Sequence, residues 1–196
     1  MKVGCFALID PFSVLGHQLE RIAGMGFTFA DVTDNSDGAE LGVGFGFAAV
    51  ASLDANPFDL KRMFEAHGLT ITSYCAHSLL LDPPAPWRYG TPQIIKAVRA
   101  AAAMGVPHVI TTEGEAHTDY GRSLTESEAL FTIRQRLYEP LRMAEDFGVK
   151  ILLEPHGPYT DSVERVEKLL DLCNSDALGI NLEIGRASCR ERVCHR

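Results

Sequence analysis

"DFGVKILL", residues 146–153, ends one segment on glycine and enters an apolar, β-rich segment at once. Glycine accepts the left-handed conformation that ends a helix, so a short loop can turn the chain back into a strand. The same junction occurs in "AHGLTI" (66–71) and "AMGVPHVI" (103–110). Three repeats of this junction predict helices and strands in serial alternation, and therefore a parallel sheet.

Strand-like segments recur along most of the chain. Their centres fall near Val3, Phe29, Ile71, Val109, Ile151 and Ile180. Two α/β architectures fit this pattern, a (β/α)8 TIM barrel and an open doubly wound sheet. We favour the barrel, because the turn "IDPFSVLG" (9–16) lacks the GxGxxG phosphate loop that an open sheet often carries after its first strand. A barrel takes eight units, so the chain corresponds to one truncated after about five and a half βα units.

Local signals also predict where helices begin and end. Thr91 stands at a position suited to an N-cap, and "SLTE" (123–126) has the spacing of a capping box. Pro57 suits the first turn of a helix, and Gly68 suits a helix C-terminus.

The composition argues against several classes of protein. The chain has 196 residues, a formal net charge of −8 and 46% hydrophobic residues, which is ordinary for one globular domain. The acidic balance disfavours nucleic-acid binding, and no apolar run approaches the ~18 residues of a membrane span. Scattered cysteines without metal-type pairing indicate a reduced, cytoplasmic setting. We therefore expect neither a nucleic-acid partner nor a membrane partner.

One carboxylate follows an apolar strand without a spacer. In "KILLEPHGPYT" (150–160) the strand runs directly into Glu154, Pro155 and His156. Strand C-termini converge on one face of a barrel, so Glu154 is expected at the mouth rather than in the core. The glycine junctions, this stretch and "LGINLE" (178–183) together resemble the sugar phosphate isomerase/epimerase family, the xylose isomerase-like TIM barrels. The resemblance covers residues 1 to about 183.

The resemblance implies a site for one divalent metal ion, Mn2+, Mg2+, Co2+ or Zn2+. Members of the family typically carry Glu after strand five, Asp-Thr-Gly after strand six, His on strand seven and Glu on strand eight. By that pattern Glu154 is a metal ligand and the catalytic acid/base. Glu183 stands at the position of the second metal ligand.

Other residues are expected to contact a substrate from the same face. They are His77 and Glu113 after strands three and four, Trp87 on the strand-three loop, and His156 after strand five. The alternative for His156 is a solvated loop histidine. The alternative for Glu113, together with Glu115 and His117, is a charged, solvated loop.

The last segment, "IGRASCRERVCHR" (184–196), is unlike the rest of the chain. Back-translation of "IGRASCRERV" gives what looks like a short-read sequencing adapter, and the adapter's preceding AG would complete a GAG codon at Glu183. An aspartate codon also begins with G, so aspartate is expected at this position in the native gene. We therefore divide the chain into a partial barrel domain, residues 1–183, and a non-native read-through tail, residues 184–196.

The predicted function is a metal-dependent isomerase or epimerase that moves a proton through an enediolate of a sugar, sugar phosphate or cyclitol. Three alternatives stay open: an inosose-type dehydratase or keto-sugar lyase on the same scaffold, a non-catalytic fragment, and an endonuclease IV-like DNA repair enzyme. The ketose 3-epimerase branch is disfavoured, because it usually has Asn and Glu where this chain has His156 and Thr160. A homo-oligomer is compatible with the full-length form. Without strands seven and eight, the 196-residue chain is expected to be insoluble or inactive.

Overall fold

The computed structural model describes residues 3–10, 12–33, 51–82 and 90–182. The strands in these ranges are β1 (Cys5–Phe6), β2 (Phe29–Thr33), β3 (Thr70–Cys75), β4 (His108–Thr111), β5 (Lys150–Leu153) and β6 (Leu178–Ile180). The helices in these ranges are α1 (Leu15–Gly24), α2 (Pro57–Ala66), α3 (Thr91–Met104), α4 (Asp119–Ser123), α5 (Glu126–Phe147) and α6 (Val163–Cys173).

The strands form one sheet in the order β1-β2-β3-β4-β5-β6, and every neighbouring pair is parallel. Register continues from strand to strand, since Val109 pairs with Ile151 and Ile151 pairs with Leu178. A doubly wound sheet reverses its strand order at a switch point, whereas a TIM barrel keeps sequence order throughout. The order therefore confirms the barrel-type architecture over the open sheet.

The glycine junctions have the backbone geometry that the sequence predicts. Gly68, Gly105 and Gly148 have φ angles of 69°, 74° and 66°, in the left-handed region. After Gly148, the amide of Val149 donates to the carbonyl oxygen of Ala144 at 3.0 Å, which closes the end of α5. The next residue begins β5. The three short returns from helix to strand are thus confirmed.

Two of the predicted helix N-caps are wrong, because the helices begin one or two residues away from the predicted positions. The capping box is formed by Thr125 and Glu128, not by residues 123–126, because residues up to Ser123 form the separate short helix α4. Thr91 is the first residue of α3 rather than its N-cap, which is Gly90. The Thr91 hydroxyl instead donates to the carbonyl oxygen of Arg136 on α5 at 2.6 Å.

The helices cover the sheet with their apolar faces, and α3 packs against α5. Fully buried side chains in this layer include Leu19, Ile22, Phe64, Ile94, Leu130, Ile133, Leu137 and Ile151. Burying a side chain of this size stabilises the fold by about 1.5–3 kcal/mol relative to leaving it exposed. This layer fixes the strands, and the strands fix where the loops at their carboxyl ends begin. No helix in the described ranges is long and apolar enough to cross a bilayer.

Candidate active site

Four neighbouring strands end at the same edge of the sheet, and a polar residue follows each of them. His77 follows β3, Glu113 follows β4, Glu154 follows β5 and Asn181 follows β6. Parallel strands bring these positions together, since all carboxyl ends lie on one side. This edge is where a substrate would meet polar side chains.

Glu154 is held by the strands on both sides of it. Its amide donates to the carbonyl oxygen of Thr111 on β4 at 2.8 Å. Its Oε2 accepts a hydrogen bond of 3.1 Å from Nδ2 of Asn181, which follows β6. Only 13% of the Glu154 side chain is exposed. The carboxylate is therefore oriented at the sheet edge rather than free in solvent.

Two histidines lie beside this carboxylate. Nε2 of His156 is 3.9 Å from Oε1 of Glu154, and 26% of the His156 side chain is exposed. The rings of His77 and His156 are 6.3 Å apart between centroids and are tilted by 58°. The structure thus brings together three of the residues expected at the mouth. His156 is partly buried, and its role stays a prediction.

Glu113 lies deeper than the solvated loop or the substrate contact expected from the sequence. It is fully buried, and its Oε1 accepts hydrogen bonds from the amide of Gly157 at 2.9 Å and from the Thr160 hydroxyl. Burial raises the pKa of its carboxyl, and the hydrogen bonds from Thr160 and Gly157 oppose that rise. The expected solvated loop is therefore wrong at Glu113, although Glu115 two residues later is exposed.

A second buried carboxylate joins the loop after β3 to the loop after β4. Asp82 is 2% exposed and accepts hydrogen bonds from the amides of His117 and Thr118 at 2.8 and 2.9 Å. The Thr118 hydroxyl donates to the same carboxylate at 2.6 Å. The carbonyl oxygen of Asp82 accepts from Arg136 on α5 at 3.3 Å. Asp82 thus anchors the loops that carry His77 and Glu113.

Two of the residues expected in the site, Trp87 and Glu183, lie outside the described residues. Their roles remain predictions from the sequence.

The family is decided by comparison with known sequences. Residues 19–192 match the family model described as the xylose isomerase-like TIM barrel. The chain belongs to this family. The resemblance drawn from the glycine junctions and the two strand ends is therefore confirmed.

Solved structures support the same fold. The chain is similar to 3-keto-D-glucoside 4-epimerase YcjR from E. coli, with a TM-score of 0.68, 14% identity, and coverage of 92% of this chain and 67% of that one. It is also similar to the IOLI protein with a binding zinc atom, with a TM-score of 0.64, 19% identity, and coverage of 92% and 62%. For D-psicose 3-epimerase in the presence of D-fructose the TM-score is 0.64 at 12% identity, with the same coverage of 92% and 62%.

These likenesses establish the fold alone, because the identities are low. The chain spans 62% to 67% of the length of the three proteins. A search of curated protein sequences found no match.

The carboxylate and imidazole groups at the sheet edge are donor types that bind divalent metal ions. Carboxylate oxygens suit Mg2+ and Mn2+, and added imidazole nitrogens suit Mn2+, Co2+ or Zn2+. Glu154, with His156 beside it, has the right donor chemistry for one ligand position. Among the residues that the structure describes, no group of three or more His, Cys, Asp or Glu side chains is placed to hold an ion. Glu154 therefore fits as one ligand of an incomplete set.

Asn181 is the residue at this edge that sequence reasoning missed. Its amide group orients Glu154, yet its contact spans 27 positions in the chain. The available signal was its place in "LGINLE", where a polar side chain closes an apolar strand next to β5. A polar side chain at this position is a candidate hydrogen-bond donor to the Glu154 carboxylate at the end of the neighbouring strand.

Thiol reactivity gives a test of the packing at the end of β3 and at the end of α6. Burial, followed by the negative charge of Asp31, raises the pKa of the Cys75 thiol well above its usual value, and Glu154 adds to that rise. Burial raises the pKa of Cys173 to about 11. We therefore expect iodoacetamide to label both slowly near pH 8, and Cys173 to label faster as the pH rises towards about 11. Peptide mass spectrometry measures both rates, and fast labelling of Cys75 in the folded protein would contradict this packing.

Proposed function

We propose that the full product of the source gene is a divalent-metal-dependent isomerase or epimerase of a sugar, sugar phosphate or cyclitol. The observation that carries the proposal is the Glu154 carboxylate, held at the carboxyl end of β5 by Asn181 with His156 at 3.9 Å. Family membership supports this choice, as do the epimerases among the solved structures of similar fold.

In this proposal the residues of the chain have distinct tasks. Glu154 holds the ion together with ligands from outside the described residues, and it removes and returns the proton on the carbon next to a carbonyl. When bound, a divalent ion stabilises the negative charge that develops on adjacent substrate oxygens. His156 and His77 donate hydrogen bonds to substrate hydroxyl or carbonyl oxygens. Partial burial of Glu154 limits competition from water during proton transfer.

The proposal includes aspartate as the native residue at position 183 and a non-native origin for residues 184–196. A long sequencing read through the 3′ end of the gene, from source DNA, tests both. We expect Asp-Thr-Gly after "GINL" and, further on, strand-end His and Glu codons. If the read instead ends with the codons of residues 184–196, the read-through hypothesis is wrong. The gene would then encode no further strand-end ligands for the metal ion.

Isotope exchange tests the reaction type. The gene product is incubated in D2O with Mn2+ and a panel of ketoses, keto-glycosides and keto-cyclitols, and each sugar is followed by NMR. We expect deuterium at the carbon next to the carbonyl in recovered substrate or in an isomeric product, lost when EDTA is added. A product that has lost water would instead identify the dehydratase, and no exchange with any member of the panel would contradict the proposed proton transfer.

A further inference from the structure

A buried network runs from the loop after β4 into the loop after β5. Oε1 of Glu113 accepts from the amide of Gly157 at 2.9 Å and from the Thr160 hydroxyl. The Thr160 oxygen in turn accepts from the amide of His156 at 3.2 Å. One carboxylate oxygen thus controls both ends of the turn that begins directly after Glu154.

The loops after β4 and β5 are so close at Gly157 that a side chain at this position would force one of them to move. A Cβ on Gly157 would lie 2.8 Å from Oε1 of Glu113 and 2.9 Å from the carbonyl oxygen of Gly114. Contacts under about 3 Å are not tolerated without movement of one partner. Thr160 is 2% exposed and Glu113 is fully buried, so solvent does not compete for these hydrogen bonds. The backbone of residues 156–160 is consequently tied to β4.

We propose that Glu113 is a positioning residue, whose carboxyl fixes the turn 156–160 and thereby holds the His156 imidazole beside Glu154. This inference rests on the function proposed for the site, and it replaces the expected substrate contact of Glu113. A fully buried carboxyl whose Oε1 is occupied by Gly157 and Thr160 is poorly placed to bind a sugar hydroxyl. It is well placed to act through His156, because the Thr160 hydroxyl that donates to Glu113 also accepts a hydrogen bond from the His156 amide.

Matched variants separate positioning from simple stability. Thr160→Val keeps the shape of the side chain and removes the hydroxyl, while Thr160→Ser restores the hydroxyl. Glu113→Ala removes the carboxyl, and Glu115→Ala is its control, because Glu115 is exposed two positions away. The Thr160 pair keeps the test valid should Glu113→Ala fail to fold.

Three readouts are measured on the full gene product: amide hydrogen exchange at His156 and Gly157, the NMR signals of the His156 ring, and the dissociation constant of Mn2+. In Thr160→Val and Glu113→Ala we expect about tenfold faster exchange and shifted ring signals. We also expect a 10- to 100-fold loss of Mn2+ affinity, because a displaced His156 no longer orients the Glu154 carboxylate 3.9 Å away, and this is the range for residues that orient a metal ligand. Thr160→Ser and Glu115→Ala are expected to match the wild type.

The proposal is overturned if Thr160→Val and Glu113→Ala only lower the unfolding midpoint and leave the His156 ring signals and Mn2+ affinity unchanged. It is also overturned if Glu113→Gln raises KM alone while the turn stays as protected as in the wild type, since that is the behaviour of a substrate contact. Should the wild type bind no Mn2+, the proposed function fails, and the amide and ring signals still decide the role of Glu113.

Discussion

Replacing Glu154 with Gln is expected to lower kcat/KM by about a thousandfold on any substrate found by isotope exchange. Glutamine keeps the size of the side chain and can still accept from Asn181, so the fold should be unaffected. It cannot take up a proton, and general acid/base catalysis typically contributes about 10²- to 10⁴-fold. Steady-state kinetics of the wild type and variant, at the same fixed Mn2+ concentration, measure the loss.

The control for this substitution is Glu115→Gln, which removes an exposed carboxylate from the loop after β4. It should leave kcat/KM within a factor of about two, because salt and water screen the interactions of an exposed charge. If Glu154→Gln retains more than about a tenth of wild-type activity, Glu154 does not transfer the proton and the proposed mechanism is wrong.

Replacing Asp82 with Ala is expected to cost about 3 kcal/mol in the free energy of unfolding, because hydrogen-bond donors are left without their acceptor. The carboxylate accepts from two backbone amides and one hydroxyl in a 2% exposed position. Losing it also releases the loop that leads from β4 to α4. Urea unfolding followed by circular dichroism measures the change.

Asp119→Asn is the matched comparison for Asp82→Ala. The Asp119 side chain is fully exposed, and it pairs with Arg122 at 2.6 Å on the surface of α4. Exposed ion pairs contribute little to stability, so its unfolding midpoint should stay that of the wild type. Equal midpoints for Asp82→Ala and the wild type would show that the buried network does not anchor the loops.

The architecture was predictable because its signals are local. A glycine such as Gly148 in the left-handed conformation ends a helix and starts a strand within a few residues, and serial repetition of that junction implies a parallel sheet. The helix starts were less predictable, since Thr125 rather than Ser123 caps α5 only because α4 forms before it. Ser123 is the last residue of α4, where its hydroxyl donates to the carbonyl oxygen of Tyr120, and the spacing of residues alone does not show this.

The site was predictable only in part. Glu154 stands out in the sequence because it follows an apolar strand directly, and the barrel carries it to the mouth. The partners of Glu113 and Glu154 are 44 to 47 and 27 positions away in the chain, so no local pattern reveals them. For Glu113 the burial itself was misjudged, because the charged neighbours in "TTEGEAH" (111–117) suggested solvent on all sides.

The most direct test of the central claim is a Mn2+ titration of the full gene product followed by electron paramagnetic resonance. We expect one bound ion per chain in the wild type and in Glu115→Gln, and loss of that binding in Glu154→Gln. Unchanged Mn2+ binding by Glu154→Gln, or no binding by the wild type, would contradict a metal centre built on Glu154.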